Sequence, residues 1–353
     1  MVCIAAFIIL CLVGIVVAFI SIFKKEVGKK YLAVFKKSWH CVFKKVRLQK
    51  CDTNFKDDVK NTILKKVILK RPKLVKPLSI FIEVVSVLIV LITVWSLVIA
   101  IKSLLALWVF GTCNVSKPSA CSLTSESCSI DADEPDNIFE QIGQSIGEWG
   151  EIFGGIPDRL KTWGNEDFAG LEVLPALSEE GSNDDAPAYD IMDPGCIVCM
   201  NSYRNQLNDG FLKNHTTYLV IYPIQNPDGE YKFKNSHIAA EYIISAEINA
   251  SEKNYAKKII NKLFTEKDEK NVSFQTRLNN DWEEAEVIEI FSNWLKDFGA
   301  TNEEIEKIKS DLDSEVVKTA LAKNKEVVDN KIHAKAIPTL IYDGKKHSGL
   351  YKN

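Results

Sequence analysis

Histidine is scarce in this chain, with five among 353 residues, and this scarcity limits the metal sites that the sequence can form. A structural zinc site takes about four cysteine or histidine ligands. Near the N-terminus only His40, Cys41 and Cys51 lie close together, and that set is too small. A closely spaced cysteine pair further along lacks a second pair. The remaining histidines are scattered singly, at His215, His237, His333 and His347. We therefore predict neither a metal site nor a cofactor.

Charge is missing from two long apolar stretches. Residues 4–23 carry no charged side chain, and the run at about 80–110 carries only Glu83 and Lys102. About 20 apolar residues suffice for a helix to cross a bilayer, and neither run shows the polar spacing of an amphipathic helix. The first run also lacks the basic start and small-residue cleavage site of a signal peptide. We therefore predict a transmembrane hairpin in residues 1–111, with both spans in contact with the lipid bilayer.

The loop between the predicted spans, residues 24–77, holds eighteen lysines and arginines against four acidic residues. Short basic loops stay in the cytoplasm. This predicts a multi-pass protein of the cell membrane with two spans, a cytoplasmic loop and an extracytoplasmic C-terminal domain. We interpret the charge as fixing this topology, and a patch for anionic lipid or nucleic acid is the alternative.

Residues 112–353 are strongly acidic, whereas the formal net charge of the whole chain is only −3. An acidic surface repels phosphate, so we predict no nucleic-acid partner for this part. Residues 112–187 have the composition of a connector. Within it, apolar spacing predicts an amphipathic helix from about Asn137 to Phe153. We expect its apolar face to pack on the domain, with the membrane as the alternative.

Of nine cysteines, five lie in this outer part, where an oxidising compartment favours disulfides: Cys113, Cys121, Cys128, Cys196 and Cys199. Cys113 and Cys121 bracket a short polar segment after the second span and are candidates for a structural disulfide. Sequence alone does not give connectivity, so Cys128 is left either unpaired or paired elsewhere.

Cys196 and Cys199 stand two residues apart between two predicted strands, 188–192 and 217–222. The turn Asp193-Pro-Gly precedes them, and a helix is predicted to run to about residue 212. A helix start favours a thiolate, and this spacing beside a βαβ pattern suggests a redox centre. We expect Cys196 to be the better exposed, attacking sulfur and Cys199 the buried resolving one. A permanently closed structural disulfide is the alternative.

Two acidic residues lie near this pair, at Asp190 and Asp193. Acids beside proline are commonly turn residues. We therefore predict no proton-transfer acid.

Far downstream, Ala336-Ile337-Pro338-Thr339 leads into a strand and an Asp343-Gly344-Lys345 turn. Proline in a β context lies at an edge or a strand start. A cis bond between Ile337 and Pro338 would place a backbone edge beside the cysteines, where an extended substrate chain can pair with it. Ile337 and Pro338 are therefore the predicted substrate-binding residues.

These features resemble the thioredoxin superfamily and, within it, the DsbA-like thiol–disulfide oxidoreductases, over residues 188–353. The resemblance implies an α/β thioredoxin-like fold with a helical insertion at about 233–332. Helices are predicted to begin there near Ser236, Tyr255 and Glu284, and Thr301 with Glu304 forms a capping box. The dipeptide between the cysteines is Ile-Val, where strong oxidants of that family have Pro-His.

The predicted function is that of a membrane-anchored, extracytoplasmic thiol–disulfide oxidoreductase that introduces disulfides into exported proteins through Cys196 and Cys199. The implied partners are exported substrate proteins with cysteines and a quinone-linked membrane protein that regenerates the disulfide. Two alternatives are kept: a disulfide reductase or isomerase, and a non-catalytic peptide-binding module with a structural disulfide.

Overall fold

The structure, a computed structural model, forms two compact units, Met1–Ile101 and Lys102–Asn353. The predicted first span, 4–23, lies outside the described residues, as do Cys51 and Cys121. The described residues are 25–47, 75–118, 128–130, 135–169 and 187–352.

Helix α1, Lys25–Val46, lies in the basic loop, and helix α2 follows at Val75–Phe110. Within the described ranges, α2 is the one helix long and apolar enough to cross a membrane, over Lys76–Phe110, and an 18-residue stretch within it has a mean hydropathy of 3.0. It begins before the predicted residue 80 because Pro77 falls in its first turn, where the missing N–H breaks no helical hydrogen bond. Two of its hydroxyls are satisfied within the helix, as lipid would require: Ser86 donates to the carbonyl of Ile82 at 2.6 Å, and Thr93 donates to that of Ile89 at 2.8 Å.

The C-terminal domain is built on a mixed four-stranded sheet with the order β3-β2-β5-β6. Strands β2 and β3 are parallel, and β5 and β6 continue the sheet antiparallel. A separate two-stranded pair joins β1 and β4 antiparallel. The strands are β1 Cys128–Ser129, β2 Pro187–Met192, β3 Thr216–Ile221, β4 Ala336–Ile337, β5 Thr339–Tyr342 and β6 Lys345–Ser348.

Two helices cross from β2 to β3, α4 at Ile197–Asn208 and α5 at Phe211–Asn214. Parallel neighbours require such a crossover. The sequence predicted one helix to residue 212, but Gly210 lies between the two with φ +70°. This left-handed conformation, which glycine adopts without strain, ends the first helix.

Six α-helices lie between β3 and β4 and supply about half of the buried residues in the domain's core. They are α6 Ser236–Ala250, α7 Tyr255–Thr265, α8 Phe274–Asn280, α9 Glu284–Asp297, α10 Asn302–Ser310 and α11 Glu315–Val327. The predicted helix starts near Ser236, Tyr255 and Glu284 are confirmed. So is the capping box, in which the Thr301 hydroxyl accepts from the Glu304 N–H at 3.2 Å and the Glu304 carboxylate accepts from the Thr301 N–H at 2.7 Å.

The predicted connector helix, α3, runs from Ile138 to Leu160, and the Asn137 side chain caps it. Only Ile152 and Gly155 are buried within it, whereas Phe139 is 86 % exposed. The expectation that its apolar face packs on the domain is therefore wrong for most of its length. Ile152 packs instead with Val109 and its neighbours at the end of α2. Gly155 permits this close approach, because a Cβ there would lie 2.7 Å from a Val109 methyl.

The segment after α3 enters the domain core. The Trp163 N–H donates to the Gly344 carbonyl at 3.0 Å, and Phe168 stacks on Tyr189 with ring centroids 3.6 Å apart. Both side chains belong to the same buried cluster as the sheet. The domain therefore draws its core from residues upstream of position 188, where the sequence had predicted that it begins.

We predict that Phe168→Ala lowers the free energy of unfolding by about 3 kcal/mol, because it leaves a cavity beside Tyr189. Urea unfolding of the full chain in detergent measures this. The matched control is Phe139→Ala in the same connector, whose ring is exposed and whose loss changes stability by less than about 0.5 kcal/mol. Equal effects of the two substitutions would contradict the packing of this segment.

Candidate active site

Cys196 is the N-cap of α4, so its sulfur lies at the N-terminus of that helix. The sulfur accepts a hydrogen bond from the Cys199 N–H at 3.4 Å, and the Cys196 N–H donates to the Asp193 carbonyl at 3.0 Å. Both cysteines are fully buried, at 0 % exposure. The expectation that Cys196 is the better exposed sulfur is therefore wrong. The reason is a segment from the connector that covers it.

That segment brings Cys128, which forms a disulfide with Cys196 at a Cα–Cα distance of 6.3 Å. Cys199 is a free, buried thiol. The two cysteines that the sequence pairs are thus adjacent, but in this structure the disulfide joins Cys196 to a third. Cys113 is also disulfide-bonded. Its predicted partner, Cys121, lies outside the described residues.

The downstream Ile-Pro-Thr element lies at the same place. The Ile337–Pro338 peptide bond is cis, and the Cys196 sulfur lies 3.9 Å from the Ile337 carbonyl oxygen. The Thr339 hydroxyl donates to the Ala336 carbonyl at 2.7 Å, which fixes the bend between β4 and β5. The structure therefore brings together Cys196, Cys199 and Ile337 from distant parts of the chain.

Gly195, immediately before Cys196, is held from outside the turn. Its carbonyl accepts hydrogen bonds from the Gln275 and Asn279 side-chain amides, both at 2.6 Å. A Cβ on Gly195 would lie 2.5 Å from the Cβ of Phe233, so only glycine fits. Both amides come from α8, which links the insertion to the cysteine turn. Sequence reasoning missed these residues because nothing in their local pattern indicates a distant partner.

No family model and no curated protein matches this sequence. Solved structures are similar to part of this chain. A thioredoxin-like oxidoreductase from Silicibacter pomeroyi DSS-3 is 11 % identical, with a TM-score of 0.35, over 54 % of this chain and 91 % of that one. The thiol-disulfide exchange protein alpha-DsbA2 from Wolbachia pipientis is 15 % identical, with a TM-score of 0.35, over 53 % and 85 %. The thiol-disulfide oxidoreductase MdbA from Corynebacterium diphtheriae is 15 % identical, with a TM-score of 0.34, over 52 % and 93 %.

The strand order β3-β2-β5-β6, the helical crossover after β2 and the turn from β4 into β5 decide the architecture of the C-terminal domain. It has a thioredoxin-like fold. The six helices between β3 and β4 are its insertion, as the resemblance implied. In this thioredoxin-like domain the cysteine turn lies at the carboxyl end of β2, where ligand and active sites of open α/β sheets commonly lie.

Asp193 is the turn residue that the sequence predicted. Its carboxylate accepts hydrogen bonds from the Gly195 and Ile224 N–H groups, each at 2.7 Å, and from the Ser236 hydroxyl. Burial raises the pKa of this carboxyl to about 6, although these bonds lower it. Asp193 thus ties the cysteine turn to the loop after β3 and to the start of α6.

Asp190 lies inside β2, within the strand that the sequence predicted at 188–192. One carboxylate oxygen accepts from the Gln206 amide at 2.8 Å. The other is buried with no hydrogen-bond partner among the described residues. Burial raises the pKa of Asp190 to about 7, so the group exchanges its proton near neutral pH. Asp190 is a candidate proton acceptor that sequence reasoning missed; an acid in a strand that is buried on both faces could have indicated it.

The Cys199 thiol is held in its protonated form. Burial raises its pKa well above the usual range, and the negative charges of Asp193 and Asp190 raise it further. A thiol so placed attacks a disulfide only after losing its proton to a nearby base. The charge of Asp190 acts on the Cys199 thiol, which makes Asp190 a candidate for that base.

Each of the four histidines in residues 112–353 has an acidic or aromatic neighbour. His237 lies 3.2 Å from Glu284, and His333 lies 3.3 Å from Asp158. His215 stacks on Phe211, and His347 on Tyr342. Over the described ranges, no group of three or more histidine, cysteine or acidic side chains could hold a metal ion.

We predict that Gly195→Ala destabilises the domain by about 1–3 kcal/mol, because a Cβ there overlaps Phe233 and forces the turn to shift. Urea unfolding of the full chain measures this. Gly143→Ala in α3 is the matched control: its added Cβ meets no atom within 4 Å, and alanine favours the helix. If both variants unfold at the same urea concentration as the parent, the turn is not as tightly held as described.

A second prediction concerns pH. The pKa of Asp190 is near 7 in the folded domain and about 3.9 in an unfolded chain. Between these values the folded state holds a proton that the unfolded state has lost. Stability therefore falls as pH rises through this window, by on the order of 4 kcal/mol for this group. Asp193, also raised, contributes in the same direction.

Asp190→Asn cannot ionise, so its free energy of unfolding should fall clearly less than the parent's between pH 4.5 and pH 7.5. Urea unfolding at the two pH values measures the difference. The exposed Asp209→Asn serves as control and should keep the parent's pH dependence. An unchanged fall in Asp190→Asn would show that this carboxyl does not carry the effect.

Proposed function

We propose that this chain is a membrane-anchored, extracytoplasmic thiol–disulfide oxidoreductase whose reactive sulfur is that of Cys196. One observation carries the proposal: this sulfur lies at the start of α4, against the Ile337 carbonyl, already in a disulfide with a distant segment of chain. Cys199 lies one helical turn beyond. A sulfur with two alternative sulfur partners and a backbone edge beside it has what disulfide exchange requires.

The exchange proceeds in two steps. With Cys196 and Cys199 joined, a client thiolate attacks the Cys196 sulfur, the bond to Cys199 breaks, and Cys199 takes up a proton. A second client thiolate then attacks the client sulfur of the mixed disulfide and releases Cys196. The client gains a disulfide and loses two electrons, which remain on the reduced cysteine pair. Asp190 accepts the proton when Cys199 attacks in the reverse direction.

The Ile337–Pro338 edge binds the client. β4 already pairs with an extended segment, with Cys128 opposite Ile337. A client chain in the same register would present its cysteine to Cys196. The affinity would come from backbone hydrogen bonds, which accept many sequences.

Net oxidation of exported proteins is the direction we favour, with a quinone-linked membrane protein withdrawing the two electrons. The reverse direction, reduction or isomerisation, uses the same steps. Ile197 and Val198, between the cysteines, have no side chain that stabilises a thiolate by a hydrogen bond or a charge. The reduction potential of the cysteines therefore decides between net oxidation and the reverse direction. A non-catalytic peptide-binding module is the candidate of another class, supported by the burial of both sulfurs.

The membrane location rests on α2 and on the basic segment before it. Only 11 % of the apolar 18-residue stretch of α2 is buried. Exposed side chains such as Trp95 and Leu104 lie along the helix. Eighteen basic residues in 24–77 favour a cytoplasmic position for that segment. The cysteines would then face an oxidising compartment, where exported client proteins acquire disulfides.

We predict that Cys128→Ser/Cys199→Ala, which leaves Cys196 without either intramolecular partner, accumulates mixed disulfides with exported proteins in cells. Trapping occurs because no internal thiol remains to release the client. Non-reducing electrophoresis after acid quenching measures the adducts, and they disappear on reduction. Adding Cys196→Ser to this variant is the matched control and should remove them all.

The reduction potential of the parent's cysteines separates the candidates. A value of about −120 mV indicates an oxidant, and one below about −300 mV indicates a structural bridge. If the double variant forms no adducts and the potential lies in the structural range, the binding module is the better account and the catalytic proposal fails.

A further inference from the structure

The segment Cys128–Ile130 contacts the site in three ways that a client chain would. Its backbone pairs antiparallel with β4, with Cys128 opposite Ile337. The Ile130 N–H continues the pairing by donating to the Lys335 carbonyl at 3.2 Å. The Cys128 sulfur is bonded to that of Cys196. The edge of β4 and the Cys196 sulfur are therefore both occupied by a segment of the chain itself.

This occupant is buried as a ligand would be. Cys128 is 7 % exposed and belongs to the domain's main core cluster, and Ile130 packs against that cluster. Cys196 beneath it is fully buried. A client cannot reach the Cys196 sulfur or the β4 edge while this segment stays in place.

The tether favours the segment over a free client. Cys128 lies 68 residues before Cys196 in the same chain. A group attached by a linker is held near its partner at a local concentration of roughly millimolar when the linker is short, and this value falls only gradually with length. Cys128 therefore competes with a client for the Cys196 sulfur at all times.

Cys199 supplies the means of release. It is a free thiol, and its N–H already touches the Cys196 sulfur. Burial raises the pKa of this thiol, which slows its attack and lets the bond between Cys128 and Cys196 persist.

We propose that Cys128 is a third redox cysteine of this site and that Cys128–Ile130 acts as an intramolecular substrate, capping the sulfur and the edge that a client uses. The proposal rests on the proposed function. Three cysteines thus share one disulfide that has two positions, and only the Cys196–Cys199 position leaves the edge open.

The step between the two positions is redox-neutral. The Cys199 thiolate attacks the Cys196 sulfur, the Cys128–Cys196 bond breaks, and the Cys196–Cys199 bond forms. Cys128 leaves as a thiolate and takes up a proton, which balances the one that Cys199 gave up. No external oxidant or reductant takes part.

The first experiment compares trapping in cells by two variants of the full chain, Cys199→Ala and Cys128→Ser/Cys199→Ala. If Cys128 competes for Cys196, it releases clients from Cys199→Ala, and this single variant should show at least tenfold fewer adducts than the double variant. Cys128→Ala/Cys199→Ala, with no hydroxyl at position 128, should match the double variant. Equal adducts in the single and double variants would overturn the proposal while leaving the oxidoreductase function standing.

The second experiment maps disulfides in the purified full chain in detergent, after acid quenching, alkylation and digestion. The parent should yield both Cys128–Cys196 and Cys196–Cys199 peptides. Cys128→Ser should yield only the second, and Cys199→Ser only the first. Cys128 alkylated throughout would overturn the proposal. So would a parent with the Cys128–Cys196 bond alone, together with a Cys128→Ser variant that forms no bond, because the bridge would then be fixed.

The two experiments separate the two claims. If no variant traps clients but the disulfide occupies both positions in the purified protein, the proposed function fails and the mobile disulfide stands. If clients are trapped equally with and without Cys128, the reverse holds.

Discussion

The arrangement of this domain depends on one constraint: the Cys196 sulfur must lie both at the start of a helix and against a backbone edge from far along the chain. The helix start comes from the crossover between two parallel strands, and the edge comes from the turn between β4 and β5. Neither is useful alone. The sheet holds them together, because β5 pairs with β2, the strand that leads into the cysteine turn.

The helical insertion also holds the turn that precedes the cysteines. α8 provides the two amides that hold the Gly195 carbonyl, and the first residue of α6 provides the hydroxyl that binds the Asp193 carboxylate. Buried polar groups of this kind are costly unless they are paired, so each pairing fixes the turn in one position. Asp190, with one oxygen unpartnered among the described residues, is one of several exceptions, and buried acids that break the rule commonly have a chemical role.

The connector contributes residues both to the core of the domain and to the cysteine site. The segment after α3 carries Trp163 and Phe168 into the core, while β1 pairs with β4. α3, between them, packs with the end of α2 through a few residues and leaves most of its apolar face exposed. A segment with the composition of a simple tether therefore contributes packing, covers a sulfur and presents an apolar surface.

Local patterns in the sequence determined the strands beside the cysteines, the helix starts of the insertion and the capping box at Thr301, because period, turn chemistry and capping act over a few residues. The thioredoxin-like fold was implied by the resemblance of the cysteine pair and the Ile337-Pro338-Thr339 element to that superfamily. Tertiary structure alone decided the partner of Cys196, the burial of both sulfurs, the interior position of Asp190 and the amides on Gly195. Each of these depends on which distant segments meet, and no spacing along the chain encodes that meeting. The connectivity of three cysteines is the plainest case, since pairing follows proximity in the folded chain and not proximity in sequence.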